Sequence, residues 1–261
     1  MQVETGDDVR LWWERSGDGP RVLLVPGSGD CSDIFPASFT QQLADGGCSP
    51  LRFDQRDTGR SGDGGDTYTL RTMADDVIAV LDAAGVGRAH LVGISMAGML
   101  MVDVASTHPE RVASLTFVSA MSPDPDAGMG PDFFATRDGD RVEAMLRAMG
   151  DTSDADRAWV ADLLRDADAH APARPDAAER HMAAAFRVGW IGPEVMADIG
   201  APTTVVHGRL DQTLPTGHAT ALADGIEGAT LVLRDGMGHL PRPDDWDEIA
   251  REILAQIARD G

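Results

Sequence analysis

The stretch "AHLVGISMAGML" places Ser95 where a serine could act as a nucleophile. The apolar run 89–92 is typical of a buried strand, and residues 96–104 are typical of a helix. A strand that runs directly into a helix puts Ser95 on a sharp turn, and Gly93 and Ala97 are small enough to let the strand and the helix approach closely. This is the nucleophile-elbow pattern Gly-x-Ser-x-Gly, with Ala97 at the last small position. So short a pattern also arises by chance around an ordinary tight turn. Whether Ser95 is a nucleophile therefore depends on the residues found in the rest of the chain.

A serine hydroxyl needs a base to remove its proton and a third group to orient that base. Asp211 follows the strand-like "PTTVVHG", and His239 follows the strand-like "ATLVLRDG". The chain order Ser, Asp, His is the order that an elbow serine on a parallel sheet requires. The sequence therefore predicts a catalytic triad of Ser95, Asp211 and His239.

Other acids and histidines are weaker candidates. Asp124, after the strand-like "LTFVSA", is the alternative acid, whereas Asp235 is too close to His239 in sequence to turn back to it. No other histidine follows a strand through a glycine-rich loop. We expect them in strands (His90 and His207, the latter packed), at a helix end (His108), in a surface helix (His218) and in a helical insert (His170, His181).

Attack on a carbonyl produces an oxyanion that needs two fixed N–H donors. The Met96 amide is the first, because it begins the elbow helix, whose N-terminus favours negative charge. The early loop "LLVPGSGD" supplies the second, and the Ser28 amide is our candidate there. Gly27 beside it is predicted to contact the substrate. A plain glycine-rich turn is the alternative interpretation of this loop.

Strand-like and helix-like segments alternate along most of the chain. The strand-like segments are "VRLWWERSG", "RVLLVPG", "SPLRFDQR", "AHLVG", "VASLTFVSA", "PTTVVHG" and "ATLVLRDG". The helix-like segments among them are "LRTMADDVIAVLDAAGV", the helix after Ser95, "TGHATALADGI" and "DDWDEIAREILAQIARDG". In the first of these helices Met73, Val77, Val80 and Leu81 fall on one face. Such alternation predicts a mostly parallel sheet with helices on both faces, here residues 1–120 and 200–261.

Residues 121–199 contain no convincing strand and are predicted to form a helical cap, or lid. Three amphipathic stripes run through this segment, and Asp140 with Glu143 is spaced as a capping box. The stripes are Val142, Met145, Leu146 and Met149; Trp159, Val160, Leu163 and Leu164; and Met182, Phe186 and Trp190. A helical block between two strands is expected to cover the carboxyl edge of the sheet, where ligands bind.

Methionine and aromatic side chains concentrate near the predicted site, which favours an apolar pocket. The residues in question are Met96, Met99, Met101, Met237, Phe133, Phe134, Trp159 and Trp190. Of these, Trp159, Trp190 and Met237 are predicted to bind the substrate. The alternative is that they only pack the cap onto the core. Arg137, Arg141 and Arg187 are equally suitable partners for a substrate carboxylate.

Composition excludes several classes of partner. The 261 residues carry a net charge of −21, and every basic residue is an arginine, which argues against nucleic acid and anionic membranes. No apolar run could span a bilayer, and the N-terminus does not resemble a signal peptide. We therefore expect a cytoplasmic protein with Cys31 and Cys48 reduced and buried. No residue spacing suggests a metal or a cofactor, so the expected partner is a small, mostly apolar ester; the sequence does not specify the oligomeric state.

These motifs together resemble the α/β-hydrolase superfamily, over nearly the whole chain. Within it, "RFDQRDTGRSGDG" followed by "HLVGISMAGML" is similar to the aclacinomycin methylesterase group, which removes a methyl ester from anthracycline-type polyketides. The resemblance implies an eight-stranded sheet with an inserted helical cap, the same triad and oxyanion donors, and a structural role for the loop that contains Asp54, Arg56, Gly59 and Ser61. Many members carry His-Gly where this chain has Pro26–Gly27, so one hydrogen bond of the oxyanion loop is lost here.

The predicted function is a serine hydrolase that cleaves a carboxylic ester through an acyl-enzyme. An enol-lactonase-like or haloperoxidase/perhydrolase-like enzyme would use the same triad, and a non-hydrolytic ligand-binding member is the alternative outside enzymology. Epoxide hydrolase and dehalogenase chemistry is disfavoured because it uses a carboxylate nucleophile, whereas this elbow presents a serine.

Overall fold

The computed structural model is built around one eight-stranded sheet. It describes residues 1–65, 67–134, 140–150, 152–171, 174, 176–186 and 192–260. The strands are β1 (Gln2–Glu4), β2 (Arg10–Arg15), β3 (Arg21–Val25), β4 (Ser49–Phe53), β5 (Ala89–Ile94), β6 (Val112–Val118), β7 (Thr203–Gly208) and β8 (Thr230–Arg234). Their order in the sheet is β1-β2-β4-β3-β5-β6-β7-β8. Pairing is antiparallel between β1, β2 and β4 and parallel from β4 to β8, which confirms the predicted mostly parallel sheet.

Eight α-helices are found in the part of the chain that the structure describes. They are α1 (Ala37–Asp45), α2 (Leu70–Ala83), α3 (Ala97–Thr107), α4 (Arg141–Met149), α5 (Asp154–His170), α6 (Ala177–Phe186), α7 (Gly217–Gly225) and α8 (Pro243–Asp260). None of the described helices is long and apolar enough to cross a membrane. The sequence predicts all of these helices except α1, and it does not predict the three-residue strand β1.

The core lies on both faces of the sheet. Alternate residues of β3 belong to different hydrophobic clusters: Leu23 packs with the residues of α2 and α3, and Val22 packs with those of α1 and α8. The predicted stripe of α2, which includes Met73 and Val80, is fully buried. Burying one side chain of this size stabilises the fold by about 1.5–3 kcal/mol. Helices on both faces leave the carboxyl ends of the strands as the exposed edge for a site.

Residues 121–199 lie between β6 and β7, and their described parts contain helices and no strand. The apolar stripes of α4 and α5 face inward, since Leu146, Met149 and Val160 are buried. The Asp140 side chain accepts a hydrogen bond from the Val142 amide at the start of α4. The predicted capping box with Glu143 is wrong.

Glu143 has another partner. Its carboxylate accepts a hydrogen bond of 2.5 Å from Arg157 of α5, so it cannot return to the backbone at residue 140. Glu143 thus forms an ion pair with Arg157 in place of the predicted contact with the backbone at residue 140. This ion pair joins α4 to α5 at the surface, where water and salt screen the attraction between the two charges.

Candidate active site

Ser95 lies on the turn between β5 and α3, in a left-handed conformation with φ of 59°. Left-handed backbone is strained for a residue with a Cβ, and it turns the side chain out of the sheet. The turn closes tightly because the Ser95 carbonyl accepts hydrogen bonds from the Gly98 amide (3.0 Å) and the Met121 amide (2.8 Å). A Cβ on Gly93 would overlap Met101, and one on Gly98 would overlap the Met121 carbonyl. These close approaches explain the small residues around the serine.

Ser95, His239 and Asp211 lie in one line of hydrogen bonds. His239 Nε2 is 3.1 Å from Ser95 Oγ, and His239 Nδ1 is 2.8 Å from Asp211 Oδ2. The other carboxylate oxygen of Asp211 accepts from the amides of Thr213 and Leu214, each at 2.8 Å. Each of the three side chains follows a parallel strand of the sheet (β5, β7 and β8), and strands of one direction end at one edge. The structure thus brings together the three residues that the sequence singled out.

The surroundings of Asp211 keep it ionised. Burial alone would raise the pKa of this carboxyl, but the positive charge available on His239 and hydrogen bonds from His207 and His239 outweigh burial and hold the pKa well below its usual range. His207 is fully buried at the end of β7, as predicted. Its Nε2 donates to the Leu214 carbonyl at 2.9 Å and lies 3.3 Å from Asp211 Oδ2. A permanent negative charge is what orients and stabilises a histidine that takes up a proton.

Asp124, the alternative acid, caps a short helix instead of contacting His239. Its side chain accepts a hydrogen bond from the Asp126 amide and begins a short 3₁₀ helix, while Asp211 occupies the place beside His239. His218 was predicted on a surface helix, and for its side chain this is wrong. It is buried, with Nδ1 3.1 Å from the Ser122 amide and Nε2 2.7 Å from the Gly128 carbonyl. These two backbone partners, both in the loop after β6, draw the ring inward.

The loop that carries His239 is anchored on α4. The amides of His239 and Leu240 both donate to the Ala148 carbonyl, at 2.6 and 3.1 Å. A Cβ on Gly238 would lie 2.5 Å from the same carbonyl, so the loop packs directly on the end of the helix. The last carbonyls of a helix have no partner within the helix, and here one of them accepts hydrogen bonds from the backbone of the His239 loop.

The two predicted oxyanion donors are both available. Within the described part of the chain, neither the Ser28 nor the Met96 N–H donates a hydrogen bond to a protein acceptor. A Cβ on Gly27 would lie 3.1 Å from Ser95 Cβ, so the loop passes directly beside the serine. The loop is held from below by Gln55, whose Nε2 donates to the Pro26 carbonyl at 2.6 Å.

Gly29, the next residue of this loop, is held from the opposite side. Its amide donates to Nδ1 of His181, a buried histidine of α6, at 3.1 Å. The other nitrogen of His181 is 2.8 Å from the Arg56 carbonyl. Sequence reasoning placed His181 in the cap without a role, and no local signal links it to Gly29, which lies 152 residues earlier.

A cavity of about 530 Å³ opens above Ser95 and His239. Its apolar lining comes mostly from residues 121–199 and includes Met121, Phe133, Met145, Leu164, Ala178 and Met182. This volume is that of a small-molecule site.

The predicted substrate-binding residues are placed differently. Among the described residues that line the cavity, none is Gly27, Trp159 or Met237. Met237 is fully buried, and Trp159 is half-buried against the same hydrophobic cluster, because both complete the packing between the inserted helices and the sheet. Met96 is also fully buried in the core. Trp190 lies outside the described residues.

Among the described residues, three arginines line the cavity: Arg141, Arg147 and Arg174. Arg141 is already paired, because Asp168 accepts from it at 2.7 and 2.9 Å. Arg174 donates to the Ser61 carbonyl at 2.8 Å, and its buried Nη1 has no hydrogen-bond partner among the residues that the structure describes. The other arginines proposed for a substrate carboxylate, Arg137 and Arg187, lie outside the described residues.

The loop after β4 forms the base of the site. Burial alone would raise the pKa of Asp54, but hydrogen bonds from Arg60 and Ser32 outweigh it and lower the pKa. Arg56 is fully buried, and two of its nitrogens donate to Asp76 at 2.7 and 2.8 Å. These contacts tie the loop to α2 and to the start of the segment that precedes α1.

Both cysteines are free thiols, but only Cys48 is buried as expected. Cys31 is partly exposed and lines the cavity. Burial, with the negative charge of Asp54, raises the pKa of the Cys31 thiol to about 12. The Cys31 thiol therefore stays protonated at neutral pH and is a poor nucleophile.

A strained serine between a parallel strand and a helix, followed by an aspartate and a histidine after later strands, defines the α/β hydrolase class. The family model described as the alpha/beta hydrolase fold matches residues 20–244. The chain belongs to this family, which confirms the superfamily and the fold that the sequence predicted.

Several named proteins are similar to this chain over nearly its whole length. A putative carbamate hydrolase, RutD, from Variovorax paradoxus is 32% identical over 258 residues, covering 93% of each chain. Rhodomycin D methylesterase DauP from a Streptomyces species is 31% identical over 277 residues, covering 90% of each. The meta-cleavage product hydrolase CumD from Pseudomonas fluorescens superposes with a TM-score of 0.82 at 20% identity, over 100% of this chain and 98% of that one, and shares the fold. The methylesterase similarity confirms the predicted resemblance to methylesterases of this superfamily.

Proposed function

We propose that the chain is a serine hydrolase that cleaves a carboxylic ester of a mostly apolar small molecule. One observation carries the proposal: the hydrogen bonds from Ser95 through His239 to Asp211 lie at the base of a cavity of about 530 Å³. A serine hydroxyl is a weak nucleophile at neutral pH, and a positioned base with an ionised partner is what activates it.

The reaction would run through an acyl-enzyme. Ser95 Oγ attacks the ester carbonyl carbon while His239 Nε2 takes the hydroxyl proton, and the carbonyl oxygen becomes an oxyanion that the Ser28 and Met96 amides stabilise. The C–O bond to the alcohol then breaks, and the alcohol leaves with the proton from His239. Water then attacks the acyl carbon while His239 Nε2 takes a proton from it. The bond between Ser95 Oγ and the acyl carbon breaks as His239 returns that proton to Ser95 Oγ, and the acid is released. Two fixed donors lower such a barrier by several kcal/mol.

A methyl ester of a polyketide-type metabolite is the substrate class that we favour. The similarity to rhodomycin D methylesterase DauP supports it, as does an apolar cavity large enough for a drug-sized acyl group. A carbamate is the second candidate, because the putative carbamate hydrolase RutD is 32% identical over nearly the same length. The same nucleophile and oxyanion donors can attack either carbonyl.

Residues 121–199 would act as the cap. Helices α4, α5 and α6 supply most of the apolar lining, and α4 and α6 touch the loops of His239 and of the oxyanion donors. We expect the substrate to enter beneath these helices. The cytoplasmic location and the absence of nucleic-acid partners stay predictions of the sequence.

Labelling of the serine tests the proposed function. The protein would be treated with a fluorophosphonate and digested, and the peptides analysed by mass spectrometry, alongside rates on p-nitrophenyl acetate, a panel of methyl esters and aryl carbamates. We expect one adduct, on Ser95, and loss of both adduct and activity in Ser95→Ala and His239→Ala. Ser106→Ala, a serine of the helix that follows Ser95, is the control and should behave as wild type. A folded wild-type protein with no adduct and no turnover would refute the proposal.

A further inference from the structure

His181 of α6 is fully buried, and both of its ring nitrogens are bonded to backbone groups of the core. Nδ1 lies 3.1 Å from the Gly29 amide nitrogen, and Nε2 lies 2.8 Å from the Arg56 carbonyl oxygen. An amide N–H can only donate, and a carbonyl oxygen can only accept. The two partners therefore fix the ring as neutral, with its proton on Nε2 and a lone pair on Nδ1.

Charged groups around the ring do not change this state. Burial lowers the pKa of His181 to about 4, Asp57 opposes this shift, and the neighbouring Arg180 and Arg56 add to it. Tyr68 packs edge-on against the ring, with 6.2 Å between the ring centres. At neutral pH the ring consequently remains an acceptor for Gly29.

Gly29 directly follows the predicted oxyanion donor Ser28, and its backbone needs support from outside the loop. Its φ is 74°, a region that only glycine adopts at low cost. A Cβ here would lie 2.6 Å from Ala178 Cβ, so α6 packs directly on the Gly29 backbone. With Gly27 on the other side, Ser28 is flanked by two glycines, the residue type that constrains a loop least. The position of the loop is thus determined by its contacts with Gln55, at Pro26, and with His181, at Gly29.

We propose that His181 is a positioning residue for the oxyanion hole: by accepting the Gly29 amide hydrogen bond, it fixes the peptide units that aim the Ser28 N–H at the substrate. This inference rests on the proposed hydrolase function. Oxyanion donors act because they are already oriented when charge develops, so a loop free to move loses part of their effect. Helix α6 then contributes to the chemical step as well as to the lining of the cavity.

Two variants test the two hydrogen bonds of the His181 ring separately. In His181→Asn, the side-chain oxygen falls near the position of Nδ1 and keeps an acceptor for Gly29, while the contact with Arg56 is lost. In His181→Gln, the longer amide nitrogen falls near the position of Nε2 and keeps the donor to Arg56, while the acceptor for Gly29 is lost. Each variant removes one buried hydrogen bond, so the pair is matched for structural damage.

Steady-state kinetics on the best ester of the panel give the first readout. For His181→Gln we expect kcat to fall roughly 10- to 100-fold with KM within about threefold, since one complete oxyanion donor is worth about 10²- to 10³-fold. For His181→Asn we expect kcat within about threefold of wild type. Inhibition by a phenylboronic acid, whose tetrahedral adduct places an oxygen in the oxyanion hole, should weaken in the Gln variant by a similar factor.

The outcomes separate the two proposals. Equal losses of kcat in both variants, with equal falls in melting temperature, would mean that His181 is only structural and would overturn the positioning role while the hydrolase function stands. An active wild-type protein and a His181→Gln variant with the same kcat would likewise overturn the positioning role of His181 and leave the hydrolase function standing. An inactive wild-type protein with unlabelled Ser95 would overturn both. Amide hydrogen exchange at Gly29, faster in the Gln variant than in the Asn variant, checks the contact itself independently of turnover.

Discussion

Acid should destabilise this fold through His181. The ring is neutral in the fold because burial lowers its pKa from 6.5 to about 4. In the unfolded chain the same side chain takes up a proton near its ordinary pKa of about 6.5. Between these two values the unfolded state binds more protons than the folded state, so the free energy of unfolding must fall as the pH falls.

The size of this effect follows from the interval between the two pKa values. Each unit of difference corresponds to about 1.4 kcal/mol, so the contribution of His181 is complete above pH 6.5 and has fallen by about 3 kcal/mol near pH 4. No discount for solvent screening applies to a side chain that is fully buried. A loss of this size is a large part of the 5–15 kcal/mol that stabilises a typical domain.

Urea unfolding at several pH values from 7 to 4, for wild type and for His181→Asn, measures the effect. All other titrating groups are common to both proteins, so the difference between the two stability curves isolates the histidine. We expect the wild-type curve to fall by up to about 3 kcal/mol more than that of the variant over this range. Parallel curves would refute the reasoning, because a ring that is not held neutral cannot accept the Gly29 hydrogen bond.

Two further predictions concern the strained and the charged groups around the site. Ser95→Gly should raise the free energy of unfolding by about 1 kcal/mol in urea titrations, because glycine adopts the φ of 59° without strain, and it should abolish ester hydrolysis. A stability equal to that of Ser95→Ala would contradict this account. Arg56→Met should lower the free energy of unfolding by about 3–5 kcal/mol in the same titrations, because it leaves Asp76 buried without its partner. The double variant with Asp76→Leu should recover most of that loss. An equally unstable double variant would show that the pair is not the cause.

The main elements and the predicted triad could be read from the sequence because their signals are local. Ser95, Asp211 and His239 each follow an apolar run, and parallel strands carry such residues to one edge whatever the rest of the chain does. The apolar stripe of α2 likewise depends only on spacing within one helix. Strand β1 was missed because three residues are too few to show a period.

The contacts between distant segments could not be predicted in this way. The hydrogen bond between Gly29 and His181 joins residues 152 positions apart, and it depends on how α6 lies across the loop. His218 reads as a surface residue of α7 until the loop after β6 covers it. Glu143 fits a local capping pattern, but its partner is on the next helix. The spacing of apolar residues in the sequence shows which face of a helix is apolar. The hydrogen-bond partner of a polar side chain depends instead on how distant segments pack together.

Helices α4 and α6 each hold one loop of the site by a hydrogen bond, and the two hydrogen bonds depend on the sequence of the helix to different degrees. Helix α4 holds the His239 loop through the main-chain carbonyl of Ala148, a group that any helix ending in the same place provides. Helix α6 holds the Gly29 loop through an imidazole, which only one side chain supplies. A chimera that exchanged residues 121–199 for those of a relative would keep the first anchor by geometry alone. It would keep the second only if the donor sequence also placed an acceptor beside the Gly29 amide. If His181 has the proposed role, an exchange of these residues would change the rate of hydrolysis together with the choice of substrate.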